Sequence, residues 1–184
     1  MNLRFHFERA LQASAYLLRL DGKRMAYLRL LKLLYIADRE WLAETGESIT
    51  GDRACAMKYG PVLSNVYDLI KGNGSKAGVW DDHIHMEGYA IELVADPGRG
   101  ELSKGIVNKL TEVTERYRQL DDWELSERTH ELPEWTRHFR PEGGSSPIPW
   151  QDILEAQGKA AMIPAVERDE SASQVFDDVF GPEP

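Results

Sequence analysis

The stretch from Met25 to Ala37 constrains this chain more than any other. Met25, Ala26, Tyr27, Leu28, Leu30, Leu31, Leu33, Leu34, Tyr35, Ile36 and Ala37 are all apolar or aromatic. Wound at 3.6 residues per turn they leave almost no polar face, and a helix of that kind has to be packed on every side. Arg24 to Glu44 is therefore predicted as the central helix, closed by Gly46. Lys32 sits inside the stretch. An ammonium placed there either snorkels its stem to water at the helix edge or meets a fixed partner that orients the helix. Both readings stay open at this level.

The rest of the chain arranges itself around that helix. Leu3, Phe7, Leu11 and Leu18 keep helical spacing, so Leu3 to Leu20 is predicted helical and stops at Asp21-Gly22. Arg53 to Tyr59 alternates as a short strand, broken by Gly60-Pro61. Pro61 suits the first turn of a helix, predicted to run to Lys71. Ser75 to Asp82 reads as a loop. His83–Met86 and Tyr89–Val94 read as a hairpin about Glu87-Gly88. Ser103 to Gln119 is an amphipathic helix that Ser103 can cap, and Asp121 to His130 is another, with Asp121 and Glu124 at capping-box spacing. Pro133 prevents its continuation. After Phe139 the texture changes. Arg140 to Pro147 is linker-like, Pro149 to Gln157 can form a short helix, and Ile163 to Pro184 is acidic and broken by prolines, with Val175, Phe176, Val179 and Phe180 able to make one apolar-sided turn. The expected fold class is α+β, mainly α, with helices around a central apolar helix and a small antiparallel β-sheet. Residues 1–140 are expected to form the domain and residues 141–184 an acidic, partly disordered C-terminal extension.

Charge bears on partners. The net charge of the 184-residue chain is −9, and residues 141–184 hold nine acids against two bases. Phosphate binding needs clustered Lys and Arg, so nucleic acid is disfavoured as a partner. No apolar run reaches the roughly 18 residues of a membrane helix, and Met1 to Arg9 alternates apolar and charged residues, unlike a signal peptide. The single cysteine, Cys55, permits no internal disulfide. A cytoplasmic location and no membrane partner are expected.

The residues that could carry chemistry are few. His83 and His85 would share one side of a strand about 7 Å apart, and with His130 or His138 could bind a metal. The competing reading makes them solvent-facing residues of an edge hairpin. His130-Glu131 begins like a zinc-protease helix, but Pro133-Glu134 follows and no second histidine falls in place. Cys55 lies between Ala54 and Ala56, a packed setting more than a reactive one. Gly72-Asn73-Gly74-Ser75-Lys76 has phosphate-loop residue types without the spacing or the strand before it. No cofactor is expected. A metal-dependent hydrolase and a DNA-binding autorepressor are kept as alternatives of another class.

Three segments taken together resemble one family. The first is Leu31-Lys32-Leu33-Leu34-Tyr35-Ile36-Ala37, followed by Trp41-Leu42 and Thr45-Gly46. The second is Met57-Lys58-Tyr59-Gly60-Pro61-Val62, followed by Val66-Tyr67. The third runs from Ser126 to Trp135 and holds Thr129-His130. In order and spacing they resemble the Panacea domain, also described as SocA-like or phage-associated GepA-like, over roughly Phe7 to Phe139. Met57 stands where the pattern commonly has an aromatic, and the acidic stretch after Phe139 is not part of the pattern. The resemblance implies an antitoxin that binds a cognate protein toxin directly, and in some members a proteolytic adaptor that delivers the toxin to a ClpXP-type protease. It singles out Lys32, Leu33, Tyr35, Lys58, Tyr59, Gly60, Pro61, Thr129, His130 and Trp135, either as scaffold or as toxin contacts. It implies no catalytic residue.

Overall fold

A computed structural model describes residues 3–180 of the chain. The elements in order are α1 (Phe7–Leu20), β1 (Arg24–Ala26), α2 (Tyr27–Thr45), β2 (Ala54–Met57), β3 (Gly60–Leu63), α3 (Ser64–Ile70), α4 (Ala77–Asp81), β4 (Ile84–Glu87), β5 (Ala90–Leu93), α5 (Lys104–Tyr117), α6 (Asp122–His130), α7 (Pro133–His138), β6 (Ser146–Ile148), α8 (Trp150–Ala156), a 3-10 turn (Ala160–Met162) and α9 (Ile163–Phe180). The fold is α+β and mainly α, as the hydrophobic patterning requires. None of the described helices is long and apolar enough to cross a membrane.

The apolar helix is the centre of the molecule. Every residue of α2 from Arg29 to Asp38 is buried, and α1, α5, α6, α8 and β3 pack against it. Gly46 closes it in the left-handed region at φ 83°, its N–H returning 2.9 Å to the Leu42 carbonyl, a conformation glycine adopts without strain. Two three-stranded antiparallel sheets flank this core, in the orders β1-β5-β4 and β3-β2-β6. The capping chemistry of the later helices follows the sequence. Ser103 accepts from the Ile106 N–H, and Asp121 and Glu124 form a reciprocal capping box.

In this part of the chain the structure corrects the sequence reading in four places, each through pairing over long sequence distances or a local exception. The central helix begins at Tyr27, because Arg24–Ala26 pairs with β5 with Met25 opposite Ile91. Helix α1 begins at Phe7, four residues later than the spacing suggests. Pro61 is not a helix start: it lies in β3, opposite Ala56. Because β3 is an edge strand of its sheet, a residue without an N–H is tolerated there. The predicted loop at Ser75–Asp82 contains α4, whose Ala77 and Trp80 are buried. Helix α6 does end at His130, before Pro133, and Pro133 then occupies the first turn of a separate helix, α7.

Part of the stretch after Phe139 is built into the body. Ser146–Ile148 adds a third strand to β2, with Ala54 opposite Ile148, and α8 buries Trp150, Ile153 and Leu154. Helix α9 is continuous through Pro164, which falls in its first turn, where proline is tolerated. Val166 is buried, close to Gly46. The side chains of Phe176, Val179 and Phe180, and residues 181–184, lie outside the described residues.

Candidate functional site

The polar side chains of α2 explain how a buried helix can carry charge. They are spent on several neighbouring elements, and two of them share one carboxylate. Arg29 donates to the Leu120 carbonyl at 2.8 Å and to the Tyr117 carbonyl at 3.2 Å, the latter placing a cation at the C-terminal end of α5, where the helix dipole favours one. Lys32 donates from Nζ to the Pro61 carbonyl at 2.7 Å. Tyr35 donates to Glu134 at 3.1 Å, and the Arg39 guanidinium pairs with the same carboxylate. Asp38 accepts from Ser48 Oγ at 2.6 Å, from the backbone N–H of Ile49 at 2.7 Å and of Thr50 at 3.2 Å, and from the Thr50 hydroxyl. Burial raises the Asp38 pKa, and those hydrogen bonds oppose the rise. Tyr35 is likewise pushed up, first by burial and then by Glu134.

The three sequence segments singled out by the resemblance converge on the turn between β2 and β3. The two strands pair through Met57 opposite Gly60, leaving Lys58 and Tyr59 as the loop. Among the described non-glycine residues only Lys23 has a positive φ, so neither loop residue does, and Gly60 takes φ +96° instead. A loop of this kind needs a left-handed residue at its end, which is glycine's role. A Cβ at Gly60 would also collide with Thr129 Oγ1 and lie 3.2 Å from Lys32 Nζ. Three carbonyls of the hairpin then each accept from a side chain of a different helix. Met57 O accepts from Trp135 Nε1 at 3.0 Å in α7, Tyr59 O from Ser126 Oγ at 2.7 Å in α6, and Pro61 O from Lys32 Nζ in α2. The carbonyls of alternate residues are thereby satisfied by α2, α6 and α7, and the turn is fixed on all of them.

The surroundings of this cluster shift two titrations. Lys32 is fully buried, and burial lowers its pKa to about 7. His130 stacks on Trp135 at 4.2 Å between ring centroids, and Trp135 stacks on Phe139 at 4.4 Å. Burial holds the His130 imidazole below its usual pKa; Lys32 acts in the same direction, while Glu127 and the Lys58 backbone oppose it. Thr129 bonds back to the Ser126 carbonyl at 2.7 Å and Leu33 is fully buried core. Of the ten singled-out residues, then, Lys32, Leu33, Tyr35, Gly60, Pro61, Thr129, His130 and Trp135 face inward. Lys58 and Tyr59 face out, with Lys58 Nζ 5.4 Å from the Tyr59 ring centroid.

The other candidates are dispersed. His83 contacts the Ala95 carbonyl at 2.9 Å, His85 pairs with Asp81 at 2.8 Å and His138 with Asp152. Among the described residues no three His, Cys, Asp or Glu side chains come together as a metal site. Cys55 is half-buried, and burial pushes its thiol up, away from the thiolate a nucleophile needs. Gly72-Asn73-Gly74 is the turn between α3 and α4. Sequence reasoning passed over Ser126, Arg39 and Glu134 as ties, and Trp123 altogether. Trp123 is 57% exposed. Its signal was available: a tryptophan between Asp122 and Glu124 on a helix whose buried face is Leu125, Ser126 and Thr129.

The family model described as antitoxin SocA-like, Panacea domain, matches residues 30–136, more than half of the chain and the span from α2 to α7 that builds this cluster. The chain belongs to the Panacea-domain family. No curated protein and no solved structure matches it. The limits of the Panacea match are informative beside the geometry. The helices that grip the turn are inside it, whereas α1, β6 and α8, which complete the core, are outside. An antitoxin-type role with a toxin as partner is what membership of the Panacea family supports.

Proposed function

We propose that this Panacea-domain chain is the antitoxin of a toxin–antitoxin pair, that it works in the cytoplasm, and that it neutralises a cognate protein toxin by binding it directly, without catalysing a reaction. The observation that carries the reading is the family match over residues 30–136. The geometry supports it from another side. The polar groups of Lys32, Tyr35, Thr129 and Trp135 are spent on backbone carbonyls and a buried carboxylate, so these motif residues hold a shape. The test is co-expression with the protein encoded beside this chain. That protein is expected to arrest growth alone, to be rescued by this chain, and to co-purify with it. A neighbour that is harmless by itself, or that elutes separately, removes the proposal.

A second reading, delivery of the bound toxin to a ClpXP-type protease, is favoured by α9. The helix spans Ile163–Phe180, and most of its described residues are exposed, as a handle for another protein would be. Because β6 and α8 belong to the core, the informative deletion ends the chain at Gly158. Adaptor action predicts a longer toxin half-life with that deletion while binding persists; an unchanged half-life removes α9 from the mechanism.

A further inference from the structure

Tyr59 and Trp123 stand side by side in water. They are 46% and 57% exposed, and their rings meet edge to face with centroids 5.8 Å apart and planes at 62°. They come from separate elements, the β2–β3 turn and the first turn of α6. The Ser126 hydroxyl, bonded to the Tyr59 carbonyl, locks those elements together. Tryptophan and tyrosine are the side chains that dominate protein–protein contacts, because each offers a large apolar face and a polar tip. Here both are held in place before any partner arrives, which spares the ordering that binding otherwise demands.

The rim decides what kind of partner fits. The exposed residues that follow Trp123 along α6 and its C-cap include Glu124, Glu127, Arg128 and Glu131. Arg128 is paired with Glu131 at 3.3 Å and Glu127 lies 3.5 Å from His130, so this stretch sets three carboxylates against one guanidinium. Lys58 Nζ lies 5.4 Å from the Tyr59 ring centroid. A nucleic acid stacking on the two rings would bring its phosphates against those carboxylates. A second copy docking through the same patch would face its own acidic rim, since a two-fold contact sets like against like. A protein with a basic rim meets neither objection.

We propose that Tyr59 and Trp123 are the centre of the surface on which the partner protein docks, and that this partner brings an apolar contact ringed by lysine and arginine. The proposal rests on the antitoxin reading, the partner being the toxin encoded beside this chain. The test titrates that purified protein against the wild-type chain and three variants, with thermal melting of each variant as a check on folding. Trp123→Ala is the decisive one, because its side chain lies outside the core; it is expected to weaken binding at least 50-fold with an unchanged melting temperature. Glu127→Lys is expected to weaken it about 10-fold at low salt, and less as salt rises. Tyr89→Ala, which removes another exposed aromatic on the β4–β5 turn, is expected to bind like wild type. If the neighbour binds wild type tightly and Trp123→Ala within two-fold, the docking surface is wrong and the antitoxin reading survives. If the neighbour does not bind wild type at all, both fall. Self-association of the free chain that Trp123→Ala abolishes, or tight binding of single-stranded RNA by the wild type but not by that variant, would assign the surface to another occupant and overturn the proposal.

Discussion

Replacing Lys32 by methionine separates two effects that a single stability measurement would blur. Methionine keeps roughly the length and the apolar stem, so the change removes the amine and its hydrogen bond to Pro61 O and little else. The buried carbonyl left without its donor costs about 1–3 kcal/mol. The second effect depends on pH. The lysine pKa falls from 10.5 to about 7 on folding because burial disfavours the charged form. Between those values the unfolded chain holds a proton that the folded chain has released. The unfolded state then binds more protons, so stability rises with pH by about 1.4 kcal/mol per unit. Below pH 7 both states are protonated and this contribution is flat. Urea unfolding of wild type and Lys32→Met, followed by tryptophan fluorescence from pH 7.5 to 9.5, cancels every other pH-dependent contribution, which the two proteins share. The wild-type advantage should grow by about 2–3 kcal/mol across that range. Parallel profiles, separated by a constant offset, would show that Lys32 stays charged in the folded protein and that Pro61 O, not desolvation, governs it.

Three further perturbations probe the same architecture. Gly60→Ala forces a side chain into φ +96° and against Thr129 Oγ1; strain and collision together should remove about 2–4 kcal/mol in urea unfolding, and a loss below about 1 kcal/mol would mean the turn relaxes freely. Glu134→Ala strands the Arg39 guanidinium and the Tyr35 hydroxyl beside an apolar gap, and breaking a buried pair this way typically costs about 3–5 kcal/mol; a melting temperature within a degree or two of wild type contradicts the buried tie. Ending the chain at Arg140 deletes β6 and α8 and with them buried Trp150, Ile153 and Leu154. At about 1.5–3 kcal/mol for each such side chain the loss approaches the whole stability of a domain this size, so the shortened chain should be insoluble or lack a cooperative transition. A soluble, cooperatively melting fragment would place the domain boundary at residue 140 after all.

How much of this was legible in the sequence follows from the range of the interactions. The central helix, α5 and α6 are written in local periodicity and capping residues, and the hairpin of β4 and β5 in alternation across a short turn. What escaped depends on partners far along the chain. Arg24–Ala26 is a strand only because β5 lies beside it, and Ser146–Ile148 only because β2 does; no local signal distinguishes either from its helix-like or linker-like surroundings. Pro61 misleads because its rule for helix starts is as sound as its rule for edge strands, and only the sheet order selects between them. The fold brings Lys32, Gly60, Pro61, Thr129 and Trp135 to one turn, yet their bonds were not foreseeable. The hydroxyl that holds the turn is that of Ser126, one helical turn before Thr129, whose own hydroxyl bonds back to the Ser126 carbonyl.

The inward and outward halves of the cluster are connected by that difference. Lys32, Ser126 and Trp135 hold three carbonyls of the hairpin, and the ring of Tyr59 is presented from its tip. Loosening any one of them should therefore weaken partner binding indirectly, by restoring motion that docking must then remove. Trp123→Ala removes contact surface directly, with the scaffold intact. The two routes leave different records. In the scaffold variants lost affinity should track lost stability, and a stabilising osmolyte should recover part of both. In Trp123→Ala affinity should fall alone and stay lost. If affinity in Lys32→Met and Ser126→Ala were instead unchanged while stability fell by 1 kcal/mol or more, the rigidity of the turn would be a matter of folding only, and the shared motifs would describe a fold without describing its contact face.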